Sequence, residues 1–194
     1  MKTFLMATPF DAEREAASPS WWFLADSALS NLGKPFYMPE SQEEAEARIA
    51  IAYRISRLGK TISMKYASRY YTQFAPAVHF VLPSLYKRLI GEGMPGDPAV
   101  SFDRSLFLAD WIDKLTVAED INVSCKKNDE TTVSFNIKND DEAINQSIVN
   151  VSVLNTLKTG DVIVPVVSKP VKVRRGDILE VEFSGKKMIR IKIK

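Results

Sequence analysis

The chain has 194 residues, with 26 Lys and Arg against 24 Asp and Glu, a net charge of +2, one His and one Cys. A chain of this length buries roughly 70% of its unfolded surface, and 45% hydrophobic with 26% charged residues is a globular composition that excludes wholesale disorder. One Cys excludes an internal disulfide, one Cys with one His excludes a zinc cage, and any His-dependent catalysis must run through His79.

The first apolar run breaks at Pro9 and Asp11, too short for a secretory signal, and nothing approaches the apolar length of a membrane span. A soluble, cytoplasmic protein without membrane association is expected. Residues 2–7 read as a short buried strand, 11–17 as a helix stopped by Ser18-Pro19, and 21–24 and 34–37 as strands. Residues 47–56 alternate, with Ile49, Ile51, Tyr53 and Ile55 on one face and Arg48, Ala50, Ala52 and Arg54 on the other, the period of a sheet strand. A turn at Leu58-Gly59-Lys60 leads to Ser63 as N-cap of a helix carrying Tyr66, Ala67, Tyr70, Tyr71 and Phe74 at three-to-four spacing. Residues 77–82 form the next strand, Pro83 stops it, 84–90 are helical and 91–98 are a Gly/Pro loop.

The second half is richer in strands. Residues 121–125 and 131–137 flank Lys127-Asn128-Asp129-Glu130 as a hairpin. Asp140 or Asp141 caps a helix running to Leu154, with Ile144, Ile148, Val151 and Leu154 inward, and 162–167, 178–183 and 188–193 alternate as strands. The fold class is α+β, mainly β. Residues 158–194 hold ten Lys and Arg against four acids. That asymmetry can steer an anionic partner, but a solvated Lys-rich edge strand gives the same count.

Three passages go beyond pattern. Leu157-Lys158-Thr159-Gly160-Asp161-Val162-Ile163 is followed by Arg175-Gly176-Asp177-Ile178-Leu179-Glu180-Val181-Glu182; Ile55-Ser56-Arg57-Leu58-Gly59-Lys60-Thr61-Ile62-Ser63 precedes them; and Gly93-Met94-Pro95 leads to Ser101-Phe102-Asp103 and Ser105. In order and spacing these resemble the C-terminal catalytic domain of the fumarylacetoacetate hydrolase family. The resemblance implies a single domain over residues 1–194, a mixed β-roll with a few short peripheral helices, and a homodimer or a heterodimer with a paralogue. It also implies a divalent Mg²⁺ or Mn²⁺ that chelates a 2-keto or β-diketo acid, whose enolate the cation stabilises.

The residues that the resemblance assigns to that chemistry are largely replaced. The family's Glu-x-Glu pair falls on Arg48 and Ala50, and a two-residue slip to Glu46 and Arg48 would still lack one ligand. The family's strand Asp falls on His79, and its following Arg-Asp on Pro83-Ser84. The pocket lysines fall on Ala25 and Val100, the motif Gly on Arg104, the first pocket turn on Thr8-Pro9-Phe10, and the substrate loop on Pro165-Val166-Val167-Ser168. Asp103, Ser105, Gly160 and Asp161 remain as scaffold. No metal site and no cofactor are therefore expected, and enzymatic activity is expected to be lost.

The expected protein is a family member that has lost its metal- and substrate-binding residues and keeps a binding or structural role. One alternative is an altered, metal-free hydrolase, isomerase or decarboxylase with His79 as base and Arg48 as electrophile. Arg48, His79 and Arg104 could converge on a small organic anion. Another alternative is an interaction module that uses Lys169, Lys172, Arg174 and Arg175. Trp21, Trp22, Tyr70 and Tyr71 read as core or interface aromatics, and with no nucleic-acid motif beside them nucleic acid is not an expected partner. Cys125 reads as a small core residue.

Overall fold

The computed structural model describes residues 1–6, 20–30, 32–116, 121–137, 142–165 and 168–194. The expected helix over 11–17, the Thr8-Pro9-Phe10 turn, the Asp140 and Asp141 caps, and Val166 and Val167 lie outside these residues. The strands are β1 (Thr3–Met6), β2 (Trp21–Leu24), β3 (Leu29–Ser30), β4 (Ala45–Ile55), β5 (Tyr71–Val81), β6 (Leu106–Leu108) and β7 (Ile112–Asp113). They continue as β8 (Ile121–Lys127), β9 (Glu130–Ile137), β10 (Val162–Val164), β11 (Val171–Val173), β12 (Ile178–Phe183) and β13 (Lys186–Lys192). Three helices, α1 (Met64–Ala67), α2 (Pro83–Gly91) and α3 (Glu142–Leu154), interrupt them. The mainly β architecture is the one expected. No described helix is long and apolar enough to cross a membrane.

The larger sheet runs β2-β1-β10-β4-β5-β6-β3, with β11 also on β4 and β7 also on β5, and the smaller runs β13-β12-β8-β9. Two parallel pairings, β1 with β10 and β3 with β6, make the larger sheet mixed. Its centre is the antiparallel ladder of β4 and β5, eleven residues each, in register from Glu46↔Val81 to Ile55↔Tyr71.

Both faces of this ladder are covered. Ile49, Ile51, Tyr53 and Ile55, with Phe74, Val78 and Phe80, share a core with Val123, Leu179, Val181, Ile189 and Ile191 of the smaller sheet and with Ile144, Ile148 and Val151 of α3. Phe36 stacks on Phe80 there, with ring centroids 3.9 Å apart. On the opposite face Ala50, Ala52, Ala77 and Val81 pack with Leu5, Leu24, Leu106, Val162 and Val164. Strict alternation then assigns Arg48 and His79 to this second face.

The expected aromatic helix is the main correction. Ser63 does hold an N-cap position, without a side-chain cap bond, but α1 ends after four residues. Tyr71 and Phe74 are strand residues, because the ladder on β4 outweighs a local three-to-four spacing that a strand can also display. Leu154, expected inward, is 74% exposed as the last residue of α3. Of residues 34–37 only Phe36 bridges, to Ile193. The strand expected over 162–167 ends at Val164. The expected 121–137 hairpin closes through Asn128 and Asp129, both at positive φ (51° and 70°), the two-residue turn that matches strand twist.

Gly59 exchanges backbone hydrogen bonds with Leu157, tying the end of the ladder to the segment after α3. A Cβ at Gly59 would collide with the Tyr70 ring and stand 2.9 Å from Ile62 Cδ1. Overpacking of this kind costs about 1–3 kcal/mol, more than a Gly→Ala change gains through the unfolded chain. Gly59→Ala is therefore expected to lower the urea midpoint with an unchanged denaturant slope, and a midpoint at or above that of the parent protein would refute the tight approach.

Candidate functional site

Arg48 and His79 are direct cross-strand partners in the β4–β5 ladder. The register thus places Arg48, not Glu46, opposite His79, and sets Ala50 opposite Ala77. On its other side His79 pairs with Leu106 of β6, so the imidazole sits in the middle of three strands at zero exposure. Arg48 is only 4% exposed. Its Nη2 donates to Glu46 Oε2 at 3.1 Å, two residues back on the same face. A buried guanidinium without a counter-charge would cost several kcal/mol, about 3–5 where one partner of a buried pair is removed. Glu46 supplies that charge from within the same strand.

His79 is held differently. Nε2 lies 2.8 Å from the Val100 carbonyl oxygen, which fixes Nε2 as the protonated nitrogen and makes it the donor. Nδ1 is then an acceptor, buried and without a donor among the described residues. Complete burial pushes the imidazole from 6.5 down to about 4; the Val100 bond opposes the change and the Arg48 charge adds to it. The ring is neutral at pH 7. It contributes no positive charge, and its partner is a carbonyl rather than an acid.

The other assigned positions close around this pair. Val100 is the residue whose carbonyl His79 binds, and the adjacent Ser101 Oγ accepts from the Ala25 N–H at 2.9 Å. Arg104 donates its backbone N–H to Ser27 O and sits at φ +58°, a left-handed position where a Gly would be unstrained. Its guanidinium stands 5.8 Å from the Tyr37 ring centroid, so its side chain goes to Tyr37 rather than to the Arg48–His79 pair. Ser168 runs along β4: its Oγ accepts from Ile49 N at 2.8 Å, its N–H donates to Ile49 O, and Pro165 O accepts from Ile51 N. Pro165 and Ser168, the two described residues of the assigned substrate loop, thus bond to the strand beside Arg48 and Ala50. Asp161 is scaffold, accepting from the backbone N–H groups of Lys2 and Lys158.

The basic segment is used within the chain. Lys172 and Arg174 both pair with Glu44, at 3.4 and 3.3 Å, and the Arg175 guanidinium donates to the carbonyls of Met38, Pro39 and Gln42. Lys169 is exposed. Cys125 is fully buried, and burial pushes its thiol up to about 11, which makes it unreactive.

A hard divalent cation takes oxygen ligands, chiefly carboxylates. Arg48, Ala50 and His79 offer a guanidinium, a methyl and one imidazole nitrogen. Among the described residues no group of three or more His, Cys, Asp and Glu could hold a metal ion. The residues present do not fit the cation. Sequence reasoning missed Glu46 as the partner of Arg48, although opposite charges two apart on a strand share a face. It also missed the Val100 carbonyl, for which no sequence signal exists.

A family model described as "Fumarylacetoacetate (FAA) hydrolase C-terminal" matches residues 5–194. No curated protein matches the sequence. Among solved structures, a fumarylpyruvate hydrolase from Pseudomonas aeruginosa in complex with Mn²⁺ and pyruvate superposes with a TM-score of 0.86 at 16% identity, covering 100% of this chain and 89% of that one. A putative fumarylacetoacetate hydrolase family protein from Yersinia pestis gives 0.83 at 20% identity, covering 100% and 93%. A 5-carboxymethyl-2-hydroxymuconate delta-isomerase from Mycobacterium smegmatis gives 0.79 at 17% identity, covering 99% and 78%. At these identities the likeness is one of fold.

A His with a depressed folded pKa binds fewer protons folded than unfolded between the two values, so stability rises with pH across that window. The contribution of His79 is full above about 6.5 and is lost as pH falls towards 4; a difference of that size corresponds to about 3 kcal/mol. Urea unfolding between these limits is expected to show that slope in the parent protein and to lose it in His79→Gln. An equal slope in both proteins would contradict a buried neutral imidazole.

Proposed function

The chain belongs to the fumarylacetoacetate (FAA) hydrolase family, and on that premise we propose that it is a member without metal-dependent chemistry, keeping a binding or structural role. The observation that carries this reading is the Arg48–His79 cross-strand pair, where an internally neutralised guanidinium and a neutral imidazole occupy the positions that the resemblance assigns to carboxylate ligands. The chain supplies the main partners of this centre: Glu46 neutralises Arg48, and His79 donates to the Val100 carbonyl. In this role the protein assembles as a homodimer or with a paralogue that retains the chemistry.

One observation favours a second reading. His79 Nδ1 is a buried acceptor with no donor among the described residues, so it could take a proton from a substrate in a metal-free hydrolase or isomerase, with Arg48 stabilising the enolate. Its low pKa makes it a weak base, and the Glu46 pairing already occupies part of the guanidinium. An interaction role for Lys169, Lys172, Arg174 and Arg175 is less favoured, since the last three already have partners in the chain.

The test is thermal unfolding in the presence of Mg²⁺ or Mn²⁺, each with and without oxalate as a chelating 2-keto-acid mimic, with light scattering to read the assembly. A ligand at about 100 times its dissociation constant adds roughly 2.7 kcal/mol, an easily seen shift. No shift with any combination is expected. A shift requiring both metal and oxalate would restore the metal enzyme, and one with oxalate alone would make Arg48 an anion site.

A further inference from the structure

The outer face of β13 carries a charge pattern that neither the fold nor the proposed function uses. Its buried residues Ile189 and Ile191, followed by Ile193 just beyond it, leave Arg190, Lys192 and Lys194 on the opposite face, about 6.7 Å apart along the extended chain. Beside them the segment Gly33-Lys34-Pro35 completes a half-open cleft of about 380 Å³, lined by these three residues with Arg190, Lys192 and Lys194. No acidic side chain lines it among the described residues. Sites for small molecules begin at about this size, roughly 300 Å³.

The acids nearby are already engaged. Glu180, the cross-strand partner of Arg190, bonds both Arg190 at 2.9 Å and Lys187 at 2.7 Å, and Glu182 bonds Lys126 at 2.8 Å. Lys34 and Lys192 form no ion pair among the described residues, and the Lys194 ammonium stands 5.9 Å from the Tyr37 ring centroid. Lys34, Lys192 and Lys194 thus face one cleft with no acidic side chain among its described lining residues.

Protection of an open edge does not account for them. Lysines shield an edge strand whose backbone groups are unpaired, yet here the edge is taken at Lys192 and Lys194. Phe36 N donates to Lys192 O, Lys194 N to Phe36 O, and Met38 N to Lys194 O, at 2.9, 2.9 and 2.8 Å. Phe36, which follows the cleft residue Pro35, is fully buried and stacked on Phe80. The left-handed turn at Gly33, φ +85°, has open space where a side chain would stand, and it leads directly into Lys34.

We propose that the cleft formed by Lys34, Arg190, Lys192 and Lys194 is a binding site for a small polyphosphate group, carried by a nucleotide or by inorganic polyphosphate. A polyphosphate brings at least one negative charge per phosphate, with a further partial charge on the terminal one, and several strong acceptor oxygens, which suits a cluster of cations with no acidic side chain beside it. A single carboxylate would leave most of the repulsion uncompensated. The site lies apart from the Arg48–His79 centre and is independent of whether that centre is active.

The test is calorimetric titration of the full chain with inorganic tripolyphosphate at low ionic strength, where exposed charges are least screened. One-to-one binding is expected. It should weaken by about tenfold or more in Lys34→Glu/Lys192→Glu, as loss of charge-assisted contacts implies, and stay unchanged in Lys169→Glu. All three side chains are exposed, so folding is preserved, with thermal unfolding as the check. ATP as a second titrant separates a nucleotide from free polyphosphate, and localised binding of either supports the site. Absence of binding, equal weakening by Lys169→Glu, or far tighter binding of a single-stranded RNA oligomer would overturn it.

Discussion

A sheet buried on both faces leaves a charged side chain in its middle no route to water. That constraint governs the centre of this protein. Arg48 stands on the inner ladder with Ala50, Ala52 and Ala77 beside it, and its strand provides Glu46 two residues away to neutralise it. His79 meets the same constraint by staying neutral and donating to Val100. The small alanines on this face let the strand residues of β6 and β10 close in, which is how burial of the pair becomes nearly complete. A centre built this way draws its charge balance from its own strand and its imidazole partner from a backbone carbonyl.

The same logic separates the inside of the molecule from its surface. Inside, Arg48 has its matched acceptor in Glu46 of the same strand. Outside, along β13, Glu180 and Glu182 are spent on Lys187, Arg190 and Lys126, and the remaining lysines are left facing solvent. Membership of a family whose structural relatives include hydrolases and isomerases therefore fixes the scaffold, while the chemistry rests on what individual positions carry. Here the turn residues of the scaffold persist, as Asp161 shows by accepting from two backbone N–H groups, and the positions assigned to ligands carry other groups.

Much of the fold was legible in the sequence. The alternation from Ile49 to Ile55 marked β4 and assigned Arg48 to the face opposite the isoleucines, and the Asn128-Asp129 turn marked the hairpin of the smaller sheet. The stretch from Ser63 to Phe74 misled because Tyr66, Tyr70, Tyr71 and Phe74 fit a helical period, whereas pairing with Ile55 and Tyr53 makes the last two strand residues. Strands of three residues such as β6 and β11 had no signal of their own; they exist because long strands lie beside them. At the site, motif spacing located Arg48, His79 and Val100, but a backbone carbonyl is the same at every residue, so no sequence could have named Val100 as the histidine's partner.

The most direct test of the account is a double-mutant cycle on stability with Arg48→Met, Glu46→Gln and the pair together. If Arg48 and Glu46 form the self-contained ion pair of a structural centre, each single change strands a charge and the double change recovers part of the loss, giving a coupling energy of about 1–3 kcal/mol. A coupling energy near zero, with Arg48→Met no less stable than the parent, would contradict it. The guanidinium would then be held for a ligand rather than for the fold.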